Sequence, residues 1–210
     1  MKSAFYVILR FLLYWPAKLI FRIRVRGRKN EPRRVDGPYL VCANHQTVLD
    51  VVFMCVALRR QQPHFMAKEG VFRVPVLRRL VKWLGAFPVA RGRSDVGAVK
   101  HTMKLLKEGR SVGIFPQGTR CAGKALRDCR VKAGAGLIAA HTGVQILPVY
   151  IDMKEHKWKF FRRVTVVIGE PVTPEQLGYD KEQPGEYARI TNEIYERICA
   201  LEDTLRCPKQ

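Results

Sequence analysis

Acidic residues are scarce in this chain. Against 38 lysines and arginines stand 18 aspartates and glutamates, a formal net charge of +20 over 210 residues. A field of that sign attracts anions, whether nucleic acid, anionic lipid or a phosphorylated substrate, and it says nothing about fold. Metal-binding cysteine spacing is also missing. None of Cys42, Cys55, Cys121, Cys129, Cys199 and Cys207 forms a C-x-x-C pair. That excludes a zinc site and a small disulfide scaffold, so no metal is expected and the cysteines read as reduced thiols of a cytosolic compartment. No internal repeat, low-complexity tract or linker interrupts the chain. Its length and its 47% hydrophobic content suit one domain with a sizeable core and exclude disorder.

Long apolar runs are lacking as well. Residues 4–23, AFYVILRFLLYWPAKLIFRI, are broken by Arg10, Pro16 and Lys18, and no stretch reaches the ~18 residues of a spanning helix. Arg10 also interrupts any signal-peptide core, and no small-residue cleavage pattern follows. Aromatics mixed with cations predict a helix lying in a lipid interface, with a helix packed on the protein's own core as the alternative. Residues 1–30 are therefore expected to form a membrane-associating segment and residues 31–210 the main domain. Arg22, Arg24, Arg26, Arg28 and Lys29 follow the apolar stretch. They place the chain on the cytoplasmic face of the plasma membrane, with anionic phospholipid as a partner.

What is present alternates between strand and helix patterns. Strands are expected at 39–44, 64–68, 87–91, 111–116, 145–151 and 164–169. Helices are expected at 47–59, 76–84, from a cap at Ser94 to Gly109, at 131–141 up to Gly143, and at 187–205, where apolar residues recur every three or four positions. That order predicts a single α/β domain with a mostly parallel central sheet flanked by helices, behind the apolar N-terminal helical segment. Such sheets bind ligands beyond the carboxyl ends of their strands. Two polar groups stand at such ends: Asn44-His45 after YLVC, and Gln117-Gly118-Thr119-Arg120 after GIFP.

Asn44 to Asp50 reads NHQTVLD. An imidazole at His45 can take a proton near neutral pH, and a carboxylate on its other nitrogen fixes the tautomer and stabilises the charged form. Asp50 can supply that carboxylate only if His45 precedes the helix, since residues five apart within a helix lie about 140° around its axis. A competing reading makes Thr47 an N-cap with Asp50 in the first helical turn. No Gly-x-Ser-x-Gly elbow surrounds Thr47, which favours His45 acting on a substrate hydroxyl rather than on a protein nucleophile.

Taken together, these motifs resemble the 1-acylglycerol-3-phosphate acyltransferase family. His45 and Asp50, separated by four residues, match its first motif, and AKEGVF at 67–72 its lysine-bearing segment. GAFPVAR at 85–91, FPQGTR at 115–120 and VQILPV at 144–149 match its later motifs, with Lys132 and Gly134 as its lysine-glycine signature. The blocks run in family order from about residue 39 to 150. The resemblance implies transfer of an acyl chain from an acyl-CoA or acyl carrier protein thioester to the free hydroxyl of a lysophosphatidate-like acceptor, with no cofactor. His45 would be the general base and Asp50 its orienting partner. Arg120, Gly118, Thr119 and Gln117 would form the acceptor-phosphate site, joined by Arg91 and Lys68. Gln117 replaces the glutamate usual in the family; its carbonyl is expected to orient Arg120, the alternative being that the lost negative charge tunes the pocket for a different or more anionic acceptor. Alternatives are another lysophospholipid or glycerol-3-phosphate as acceptor, or a non-catalytic basic binder of membranes or nucleic acid. No zinc finger, RNA-recognition signature or patterned basic arm is present, so no nucleic-acid partner is expected.

Overall fold

The computed structural model describes residues 4–89, 96–153 and 159–206. Arg91, Ser94 and Cys207 lie outside them. The order of elements is α1 (Ala4–Ile20), β1 (Arg24–Arg26), β2 (Tyr39–Ala43), α2 (Asp50–Ala57), β3 (His64–Lys68), α3 (Pro75–Trp83), β4 (Ala86–Val89), α4 (Val96–Lys107), β5 (Val112–Ile114), α5 (Gly134–Thr142), β6 (Gln145–Met153), β7 (Val164–Ile168) and α6 (Glu186–Arg206). The seven strands form one sheet in the order β1-β7-β6-β2-β5-β3-β4. The five strands from β6 to β4 are parallel, whereas β7 pairs antiparallel with β6 and β1 runs parallel to β7. The expected α/β domain with a mostly parallel sheet is therefore present.

Strand β2 shows why the sequence reads as it does. Tyr39, Val41 and Ala43 enter one core layer with α1, α2 and α3, while Leu40 and Cys42 enter the other with α4, α5 and α6. A central strand covered on both faces needs an unbroken apolar run, and YLVCA supplies it. Edge strand β1 has the opposite character. Its sequence RVR is exposed at both arginines, so it read as part of a basic flank. Cations on an edge also discourage pairing with another chain.

Helix boundaries at three places differ from expectation because backbone groups go elsewhere. Helix α2 starts at Asp50 rather than residue 47, since the N–H groups of Gln46 and Thr47 turn onto the Asp50 carboxylate. It ends at Ala57 rather than 59 because Arg59, Arg60 and Gln61 give their N–H groups to the buried Glu31 carboxylate. Helix α5 starts at Gly134 rather than 131, since the Lys132 N–H is bonded to Pro116 O at 2.9 Å.

The apolar N-terminal stretch is the helix α1, and Phe11, Leu12, Trp15 and Leu19 on it are exposed. Among the described residues no helix is long and apolar enough to cross a membrane. Because β2 to β6 are parallel, their carboxyl ends share one edge of the sheet, and His45, Lys68 and the loop after Ile114 all stand at that edge.

Candidate active site

The end of β2 is locked first. The Asn44 side chain, fully buried, donates to Ile151 O at 3.0 Å and accepts from Ile151 N at 2.7 Å. This amide mimics one more rung of the β2–β6 ladder and fixes where the chain leaves the sheet. The next residue is His45, and nearly everything it carries is held. Its backbone N–H donates to Gln117 Oε1 at 2.6 Å, and its carbonyl accepts from Cys121 N at 2.9 Å. Its ring stacks on Phe115, with centroids 4.0 Å apart and planes 13° from parallel. Its Nδ1 lies 2.8 Å from Asp50 Oδ2.

Asp50 is fully buried. Its Oδ2 accepts from Gln46 N at 2.7 Å and Thr47 N at 2.9 Å as well as from His45, and its Oδ1 accepts from Thr47 Oγ1 at 2.9 Å. A carboxylate is acceptor-only, so His45 donates through Nδ1–H and Nε2 keeps its lone pair. Among the described residues Nε2 has no hydrogen-bond partner. Asp50 also heads helix α2, where the unpaired N–H groups of the first turn favour a negative charge. The capping alternative is thus half right: Asp50 gathers the N–H groups of the turn and holds His45 with the same oxygen. Thr47 is not the N-cap; that position is Leu49, which makes no side-chain cap bond.

Gln117 does not orient Arg120. Buried at 2% exposure, it accepts from His45 N through Oε1 and donates from Nε2 to Tyr195 Oη at 2.9 Å; Tyr195 donates onward to Leu126 O at 3.1 Å. Burial pushes the Tyr195 hydroxyl well above its ordinary value, so it stays a donor. An amide suits this chain because Nε2 supplies a proton that Tyr195 Oη accepts. A carboxylate there would force the hydroxyl to turn back and leave Leu126 O without its donor. Gln117→Glu is accordingly expected to fold and keep turnover within a few-fold while losing about 1–3 kcal/mol of stability, read by denaturant midpoint and initial rate. An unchanged midpoint would contradict the role given to the Gln117 amide.

Gly118, Thr119 and Arg120 follow on an exposed loop. Gly118 sits at φ 67, with its N–H bonded to Phe115 O at 2.9 Å, and a Cβ there would run into the Lys132 side chain. Glycine is needed for the left-handed turn, whereas the Lys132 side chain is flexible enough to yield. The Arg120 guanidinium and the Thr119 hydroxyl make no hydrogen bond or ion pair among the described residues. Lys68 is exposed at the end of β3, two strands from β2, and Arg91 is outside the described residues. Lys132, Phe115 and Tyr195 were not among the expected site residues. Lys132 had a signal in the lysine-glycine signature; Tyr195 had none, since its partner lies 78 positions away.

Cys121, whose N–H holds the His45 carbonyl, is the thiol nearest the site in sequence. Burial, reinforced by the Cys129 sulfur, pushes it up to about 11. At neutral pH it is a protonated thiol and a poor nucleophile. Cys42, Cys55, Cys121, Cys129 and Cys199 are all free, and among the described residues no cluster of three or more metal-ligating side chains occurs.

A buried carboxylate, an imidazole whose Nε2 is unbonded among the described residues and an exposed loop carrying Arg120 thus stand on one edge of the sheet. The chain belongs to the acyltransferase family, whose model matches residues 22–152. It is 30% identical over 187 residues to the 1-acyl-sn-glycerol-3-phosphate acyltransferase of Bacillus subtilis (strain 168), covering 87% of this chain and 89% of that one. It is 34% identical over 140 residues to the Streptococcus pneumoniae enzyme of the same description, covering 65% of this chain and 51% of that one. The fold is that of the 1-acyl-sn-glycerophosphate (LPA) acyltransferase PlsC from Thermotoga maritima, with a TM-score of 0.69, 22% identity and full coverage of both chains.

Proposed function

We propose that this acyltransferase moves an acyl chain from the thioester of acyl-CoA or acyl carrier protein to the free hydroxyl of 1-acylglycerol-3-phosphate, giving phosphatidate. The observation that carries the reading is His45 held at Nδ1, on its ring face and by backbone bonds to Gln117 and Cys121, which flank the open Gly118–Arg120 loop, with Nε2 unengaged among the described residues. Nε2 takes the acceptor's hydroxyl proton as that oxygen forms its bond to the thioester carbonyl carbon. Asp50 stabilises the imidazolium that results. Collapse of the tetrahedral adduct breaks the carbon–sulfur bond, and the imidazolium returns the proton to the departing thiolate. No covalent acyl-enzyme is required. The two relatives described as 1-acyl-sn-glycerol-3-phosphate acyltransferases support this acceptor.

Arg120 is the bidentate contact for the acceptor phosphate, with Thr119, Lys132 and Lys68 as further donors and Gly118 permitting close approach. The exposed apolar residues of α1 and the +20 charge support attachment to an anionic bilayer at the cytoplasmic face of the plasma membrane, where such acceptors reside. The test is an acceptor panel of lysophosphatidate, glycerol-3-phosphate and lysophosphatidylcholine, run with a fixed acyl thioester. Lysophosphatidate is expected to give the highest kcat/KM. Arg120→Ala is expected to raise its KM by about 10–100-fold, the loss of a charge-assisted hydrogen bond. Preference for an acceptor with no terminal phosphate, or a KM unmoved in Arg120→Ala, would contradict the reading.

A further inference from the structure

A second cationic site lies on the same edge of the sheet, away from the catalytic pair. A cavity of about 430 Å³ is lined by Arg22, Asp152, Phe161, Arg162, Arg163 and Thr165. Asp152 and Thr165 face each other across the β6–β7 pair, and Arg24, two residues after Arg22, pairs with Thr165 on the other side. The cavity thus sits at the carboxyl end of β6, next to the end of β2 that delivers His45. Three guanidinium groups meet one carboxylate, and Asp152 already accepts from Tyr150 Oη at 3.2 Å. That balance suits a phosphate diester, which arginine binds with two parallel N–H donors.

The surroundings add a lipid character. Phe160 and Phe161 are consecutive aromatics exposed at 63% and 70%. Their turn is stitched to the end of α1: the Phe161 N–H donates to Ile20 O at 2.7 Å, the Val164 N–H donates to Phe21 O at 2.9 Å, and the Phe160 ring stacks on Phe21. Trp15 and Leu19 are exposed on α1, the helix whose end this turn is bonded to. Arg22 and Phe161 both line the cavity, and they are the two non-glycine residues of positive φ among those described, at 44° and 61°. Strain and exposed aromatics both cost stability, and strain held in place clusters at ligand clamps. The catalytic pair uses none of these features, and stacking on Phe21 leaves Phe160 63% exposed.

We infer that the Arg22–Arg162–Arg163 cavity binds the phosphate of an anionic bilayer phospholipid while Phe160 and Phe161 insert beside it. A headgroup held there turns the His45 edge of the sheet toward the bilayer, from which a lysophospholipid reaches Nε2. The inference rests on the proposed membrane-borne acceptor, yet it is read by binding alone.

The test is co-sedimentation of the full chain with sucrose-loaded vesicles, either pure phosphatidylcholine or phosphatidylcholine with phosphatidylglycerol. Arg22→Gln/Arg163→Gln changes two exposed side chains. It is expected to weaken binding to the anionic vesicles by about fivefold per arginine and to leave binding to the neutral ones unchanged. Phe160→Ser/Phe161→Ser is expected to weaken binding to both. Lys100→Gln/Lys107→Gln on α4, which packs beside β5, three strands from β7, removes the same charge and should lose much less. Turnover on detergent-dispersed substrate is measured for each variant and should match wild type, so a failure of the acyl-transfer reading shows there and not in the vesicles. Equal losses in the α4 and cavity variants, or undiminished binding of the arginine variant to anionic vesicles, would overturn the site.

Discussion

His45→Ala is expected to lower acyl transfer per folded molecule by at least about 10²–10⁴-fold, the usual worth of a positioned general base, with little change in melting temperature. The second half of that expectation comes from where the residue is held. Its N–H and C=O bonds to Gln117 and Cys121 are made by the backbone and survive truncation. Asp50 Oδ2 keeps two N–H donors when the imidazole is gone. What disappears is the one ring nitrogen free to take a proton. Initial rates with lysophosphatidate and an acyl thioester, beside a thermal melt, check both halves.

Asp50→Asn should behave differently, because Asp50 does two jobs with one oxygen. An amide with its oxygen on the Oδ2 side still accepts from His45, Gln46 and Thr47. Its NH2 then faces Thr47 Oγ1, which in the native turn donates to Oδ1 at 2.9 Å and accepts from Leu49 N at 3.1 Å. The hydroxyl loses its acceptor in a site closed to water, at a cost of about 1–3 kcal/mol. A chain of this size should show that as a fall of about 2–4 °C in melting temperature for each kcal/mol. The imidazolium also loses its counter-charge, so turnover is expected to fall by about 10²–10⁴-fold. The two variants are thus distinguished: His45→Ala loses activity alone, Asp50→Asn loses activity and stability together. An Asp50→Asn protein less stable but fully active would reduce Asp50 to a helix-heading residue.

The architecture was legible because burial on both faces of β2, β5 and β6 demands unbroken apolar runs that the sequence displays. The helix starts at 47 and 131 were misread for a shared reason. Residues 46–47 and 132 have helix-compatible sequence, but their N–H groups are bonded to the Asp50 carboxylate and to Pro116 O, and those partners become visible only when the loops meet. The His45–Asp50 pair was legible from spacing, since a histidine just before a helix and an aspartate at its head can fold toward each other. Gln117 was legible as an oddity but not as a function. Its partners are the backbone of His45, 72 positions earlier, and Tyr195, 78 positions later. Local motif logic pointed instead to Arg120, three residues away. The exposed pair Phe160-Phe161 carried no signal at all, because two aromatics before a strand read equally well as core.

Direct transfer to a substrate hydroxyl, with His45 as base and no acyl-enzyme, is tested most directly by following thiol release from an acyl thioester with and without lysophosphatidate. Wild type is expected to release thiol only when the acceptor is present, one thiol per phosphatidate formed, and His45→Ala to release almost none. A burst of thiol stoichiometric with enzyme in the absence of acceptor, or the same release from His45→Ala as from wild type, would contradict it.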